Sequence, residues 1–144
     1  MPDHQTSVSF EVPEKNPVKE RILGTAYFLA PEVIMKKANQ DCRLDIWSLG
    51  ICYFQMLTGV TPFSSSDSTV DSLFDKICRG EIEWESEDEL VFGPDGQDFV
   101  LKCLIKNHTE RPFANDLKSC PIFAQTDFEI LLQSIYNSAD SQQH

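Results

Sequence analysis

The chain has 144 residues, 23 of them acidic and 12 basic, which suits one domain with a net charge of -11. That balance leaves no basic stripe for nucleic acid, and an anionic membrane surface would repel it. A hydrophobic fraction of 41 %, with 10 % aromatics, makes a packed core feasible.

Residues 1–21, "MPDHQTSVSFEVPEKNPVKER", are polar and contain three prolines. They read as an extended or disordered arm, and the first thirty residues hold no apolar signal core. Pro31 is suited to the first position of a short helix over about 31–37. "DCRLDIWSLGICYFQMLTG" follows, with Asp41 as candidate N-terminal cap and Gly59 as stop. Its apolar residues lie all round a helical wheel, which predicts a central helix buried on every side. The run is broken by Ser48, Gln55 and Thr58 and is too short to span a bilayer.

"STVDSLFDKICRG" places Val70, Leu73, Phe74 and Ile77 at i, i+3, i+4 and i+7, a third helix ended by Gly80. "EIEWESEDELVFG" is acidic and irregular, with Trp84 and Phe92 as anchors. A fourth helix is expected in "PDGQDFVLKCLIK" and a short fifth in "FANDLKSC", closed by Pro121. "TDFEILLQSIYN" sets Phe128, Leu131, Leu132, Ile135 and Tyr136 on one helical face. No strand, repeat or low-complexity block stands out. The chain is expected to be mainly α, divided into the arm 1–21, a helical body 22–124 and an amphipathic helix with polar tail 125–144.

The five cysteines, Cys42, Cys52, Cys78, Cys103 and Cys120, contain no C-x-x-C. They read as reduced thiols of a cytoplasmic protein, filling the core as small hydrophobes. Asn107-His108-Thr109 fits a glycosylation sequon, but no secretory segment supports its use. The acidic run 81–89 could attract basic substrates, although a solvated face is the commoner fate of such a run. There is no EF-hand loop.

Four motifs stand in order: "GTAYFLAPE", "DIWSLG", "GVTPF" and "RPFANDL…PIF". Over about 19–124 this set resembles the C-terminal lobe of a Ser/Thr protein kinase domain. "ERILGTAYFLAPEVI" resembles in particular the calcium/calmodulin-dependent and calcium-dependent protein kinases. The resemblance implies that Gly24, Thr25 and Ala26 form the loop seating the residue after the phosphoacceptor. It makes Ala30, Pro31 and Glu32 the Ala-Pro-Glu anchor, with Glu32 paired to Arg111. Asp45 would accept backbone N–H bonds from a catalytic loop. Trp47 and Gly50 would let the loop above approach the central helix closely. The chain departs from the pattern at Phe28, where the family has Tyr, and at Asn107-His108, where Asp-Pro is common. It also has Gln55 where some basic-directed members carry Glu.

Phosphoryl transfer needs a glycine-rich loop, a lysine–glutamate pair, a catalytic aspartate and a metal-binding aspartate. The six glycines form no G-x-G-x-x-G, no His-Arg-Asp occurs, and neither Asp-Phe pair is followed by Gly. Ser9-Phe10-Glu11 could be a degenerate activation-segment motif, but Ser9 cannot replace a carboxylate on Mg²⁺. No catalytic, nucleotide-binding or metal-binding residue is therefore assigned; ATP and Mg are implied only for the full family domain. Two readings stay open: a substrate-side piece of a Ser/Thr kinase, or a non-catalytic kinase-like module that docks substrates or a partner kinase. Two packing expectations follow. The helix over 126–137 should pack on the lobe rather than bind calmodulin, since it lacks Lys and Arg. With its usual cover missing, the central helix should leave Trp47, Ile51, Tyr53 and Phe54 partly open to solvent and favour self-association.

Overall fold

The computed structural model describes residues 25–64, 69–82 and 84–140. The arm 1–21 and Gly24 lie outside them. The elements are α1 (Pro31–Ile34), α2 (Arg43–Thr58), α3 (Val70–Arg79), α4 (Asp88–Cys103), α5 (Ala114–Leu117), a 3-10 turn (Pro121–Phe123) and α6 (Phe128–Asp140). No strand occurs among the described residues, and no helix there is long and apolar enough to cross a membrane.

α2 packs along α4, α1 lies on α3, and the 3-10 turn closes onto α4. Gly50 sets the closest approach. A Cβ there would stand 2.6 Å from the Cys103 Cβ and 2.9 Å from a Leu104 methyl. The neighbour that exploits this glycine is thus the end of α4, not the loop above α2 as expected. Gly59 and Gly80 end α2 and α3 in the left-handed conformation, as their positions predict. Around Phe54 the rings of Trp84 and Phe92 stand with centroids 5.2–5.5 Å apart, so both aromatic anchors fill the core.

Several expectations are corrected. α2 is not buried on every side: Ile46, Trp47, Gly50, Ile51 and Phe54 form one covered stripe, while Leu49, Cys52 and Met56 face solvent. An apolar residue makes a face sticky but supplies no element to cover it. Trp47, Ile51 and Phe54, expected to be partly open, are buried, and Tyr53 is half-buried. α4 begins earlier than expected and is two helical segments broken at Gly93, whose φ of 61° and ψ of 175° suit only glycine; Pro94 then restarts the helix. α1 stops at Ile34 because Lys36 turns left-handed, with Lys37 N–H donating to Glu32 O and Lys36 N–H to Val33 O. Pro121 opens the 3-10 turn as well as ending the preceding helix. Cys103 and Cys120 are buried, as core thiols should be, but Cys42 and Cys52 are exposed.

The largest departure is α6. Its apolar face forms as the periodicity predicts, yet Ile130, Leu131, Leu132, Ile135 and Tyr136 are exposed. Phe128 links it to the body, by an edge contact to Phe123 and under the Lys118 ammonium.

Candidate functional site

The segment that the motifs single out begins as a turn. Phe28 N–H donates to Thr25 O and Leu29 N–H to Ala26 O, both at 3.2 Å. Thr25 is exposed and Ala26 is buried. Tyr27, Phe28 and Leu29 pack against the core. Ala30 is extended, with φ -75° and ψ 153°, as a residue before proline must be. Pro31 then opens α1, and Glu32 in its first turn points inward with 1 % exposure.

Glu32 meets Arg111 across 79 positions of sequence. Arg111 Nη1 donates to Glu32 Oε1 at 2.7 Å and Nη2 to Oε2 at 3.0 Å. Arg111 Nη1 also donates to Arg43 O at 2.8 Å, and Nε to Ile105 O at 3.0 Å. Four of the five guanidinium donors are thereby satisfied, a condition for burying such a charge at tolerable cost. Burial pushes the Glu32 carboxyl up, but the hydrogen bond and charge of Arg111 pull it further down, below its ordinary value. Gln40 Nε2 adds a bond to Glu32 O. Arg111 lies in the loop before α5 rather than in that helix, so the pair ties the 25–37 segment to the loop.

Trp47 is the platform beneath. Its indole stacks on Phe63 with ring planes 5° apart, and the Arg111 guanidinium stands 5.1 Å from its ring centroid. One residue on, Ser48 Oγ donates to Phe28 O at 3.2 Å, fastening the 25–30 segment to α2. Asp45, by contrast, is exposed in the first turn of α2, and no backbone N–H among the described residues reaches its side chain. Its carboxylate there complements the positive end of the helix.

Arg43 is the residue that the motifs do not reveal. Its guanidinium is forked onto Asp41, with Nη2 to Oδ2 at 2.6 Å and Nε to Oδ1 at 3.0 Å. Nη1 donates to Thr109 O, and the group lies 4.6 Å from the Phe113 ring centroid. Arg43 so fastens the loop 107–113 that presents Arg111. The hydrogen bond from Arg43 holds the Asp41 carboxyl down to about 2. Asp41 also accepts from Arg43 N–H, so it caps α2 from one position before the cap residue, Cys42. Only the Asp41 capping role was visible beforehand; residues two apart do not face each other on a helix, so no spacing rule pairs them. Within the loop, Asn107 Oδ1 accepts from Thr109 N–H and Oγ1, which builds the turn where Asp-Pro is common in the resembling kinases.

Gly24 lies outside the described residues. Of the remaining candidates, Ala30, Pro31, Glu32, Trp47 and Arg111 converge on one buried network, while Thr25, Ala26 and Phe28 form the turn above it. Gly50 belongs to the α2–α4 contact. The arrangement holds backbone in place, and among the described residues it brings no acid, base or nucleophile to a shared reacting point.

Residues 6–123 match the family model described as Protein kinase domain. The chain is similar to the serine/threonine-protein kinase greatwall of Xenopus laevis, 38 % identical over 112 residues, covering 78 % of this chain and 12 % of that protein. The Homo sapiens greatwall kinase is likewise 38 % identical over 111 residues, again with 12 % of its length covered. Among solved structures, the twitchin kinase region from C. elegans superposes with a TM-score of 0.63 at 26 % identity, over 70 % of this chain and 18 % of that one. The chain thus spans a small part of the relatives it matches, and its helices correspond to the C-lobe. It belongs to the protein kinase domain family.

Proposed function

We propose that this chain carries the substrate-side scaffold of a Ser/Thr protein kinase: it holds the 24–32 segment as the seat for the residue after the phosphoacceptor. The observation that supports this most is the buried, two-pronged Glu32–Arg111 pair, which fixes α1 and the turn before it. In this reading the 24–26 loop meets the protein substrate, with Ala26 anchoring it in the core, and the Thr25 hydroxyl faces the catalytic groups of a complete domain. Within the family, the run 20–34 supports a kinship with the calcium/calmodulin-dependent and calcium-dependent kinases, whereas the greatwall relatives speak only for the Ser/Thr class. Five free cysteines suit a cytoplasmic protein.

The residues present do not fit Mg-ATP. The sequence has no glycine-rich phosphate loop, His-Arg-Asp or Asp-Phe-Gly. Among the described residues no group of three His, Cys, Asp or Glu could hold a metal ion. The same motif gap favours a second reading, a non-catalytic kinase-like module that docks substrates or a partner kinase. The coding sequence upstream of Met1 separates the two: an in-frame glycine-rich loop and His-Arg-Asp favour the kinase, an adjacent stop codon the module.

The biochemical test fuses 1–144 to a kinase half that supplies those ATP-side motifs. Phosphorylation of a Ser/Thr peptide is expected, lost with Thr25→Ala or Arg111→Ala and kept with Arg79→Ala. A folded fusion without Ser/Thr phosphorylation would refute the proposal.

A further inference from the structure

The C-terminal end of α2 and the start of α4 enclose a groove of about 580 Å³ that the scaffold role does not use. Its apolar walls come from Phe54, Leu57, Val60, Pro62, Trp84 and Val91. Leu57, Val60 and Val91 are 39, 55 and 50 % exposed, so the walls are open to a visitor. Glu85, Glu87 and Asp88 stand along one side. Asp88 is engaged, accepting from Glu85 N–H, but no salt bridge pairs the Glu85 or Glu87 carboxylate with a cation of the described residues. The last turn of α2 lines the groove, and a helix C-terminus carries partial negative charge and unsatisfied carbonyls. The nearby cation Lys76 is spent on Ser64 O, 3.1 Å away at the groove's edge.

We infer that this groove docks an extended peptide of a partner protein in which Lys or Arg alternates with an apolar residue. An apolar side chain fits against Trp84, Phe54 and Val91, while the adjacent cation meets Glu85, Glu87 and the α2 terminus. Charge argues against a second copy as occupant: each chain carries -11, and the exposed face of α6 has acids and no Lys or Arg. The groove is also separate from the 25–30 segment, which is fastened to α2 at Ser48. Leu57 lies nine helical positions beyond Ser48, a distance of about 14 Å. The inference therefore stands without the kinase reading.

Trp84 is the reporter, because the chain's other tryptophan, Trp47, is fully buried. The full chain is titrated with the capped hexapeptide GLRLKG while emission is followed. Saturable binding that weakens with salt is expected. The Glu85→Gln, Glu87→Gln double variant changes two exposed residues, so its unfolding midpoint should match the parent while affinity falls about tenfold. Replacing both leucines of the peptide by alanine should abolish binding, as should replacing both cations by glutamate. The proposal is overturned by no binding, by equal affinity in the double variant, or by equal affinity of the alanine peptide. A Trp84 signal that depends on protein concentration without peptide would instead make a second copy the occupant and overturn it too.

Discussion

At Arg111 the cost of burying charge is met by geometry. Moving an ion out of water costs several kcal/mol, and only good hydrogen bonding repays it. Arg111 donates four such bonds, two of them to Glu32, so removing it strands a buried carboxylate. Arg111→Ala should lower stability by about 3–5 kcal/mol. Arg79→Ala should cost about 0.5 kcal/mol or less, because its pair with Asp75 is exposed on both sides. Equal small shifts of denaturant midpoint would contradict this. The same pair predicts a pH dependence. Glu32 sits below its ordinary value of 4.5, so it contributes stability above that value and loses it as pH falls through the lowered one. The parent should exceed Glu32→Gln in stability at about pH 7, and the gap should narrow toward about pH 3. Asp41, held to about 2, loses stability over the same interval, but it is present in both proteins and cancels in the gap, so the narrowing reports Glu32. A constant gap across the range would count against the linkage.

Among the elements, α2 and α4 depend on two glycines for different reasons. At Gly50 the reason is space: an added Cβ meets Cys103 at 2.6 Å, and two packed helices must part to admit it. Gly50→Ala should destabilise by about 1–3 kcal/mol. At Gly93 nothing lies within 4 Å of an added Cβ, but the backbone conformation excludes other residues. Gly93→Ala should cost about 1–3 kcal/mol through strain, without loosening the α2–α4 contact. The two are told apart by Trp47 and Trp84 emission in the native state, which Gly50→Ala should shift to longer wavelength more strongly. If Gly93→Ala equals the parent in midpoint, the break in α4 is not required.

At the scale of the whole molecule, the 1–144 chain should neither bind nor turn over Mg-ATP, since its sequence has no glycine-rich phosphate loop, His-Arg-Asp or Asp-Phe-Gly. Calorimetry and a peptide phosphorylation assay check this; saturable nucleotide binding with turnover would refute it. The apolar residues of α6 beyond Phe128 are exposed, so a chain ended at residue 126 should keep the thermal midpoint within about 2 °C. It should also bind less hydrophobic dye, because the exposed Ile130, Leu131, Leu132, Ile135 and Tyr136 are gone. A large fall in midpoint would mean that α6 packs on the body in solution.

Residue order alone carried the helices, their glycine stops at Gly59 and Gly80, the aromatic anchors Trp84 and Phe92, and the Glu32–Arg111 partnership. The first three are local: a 3.6-residue period, a left-handed stop and a large apolar ring each act within a few positions. The partnership was legible only through the ordered kinase motifs, because no local rule links residues 79 apart. What the tertiary structure decided was which apolar faces find cover. α2 and α6 both present apolar residues, yet α4 covers one stripe of α2 while the face of α6 stays exposed. Arg43 turned out to hold the loop behind Arg111, and Gly50 to serve α4 rather than the loop above. Periodicity states what a face would bury; only the folded path of the chain determines what arrives to bury it.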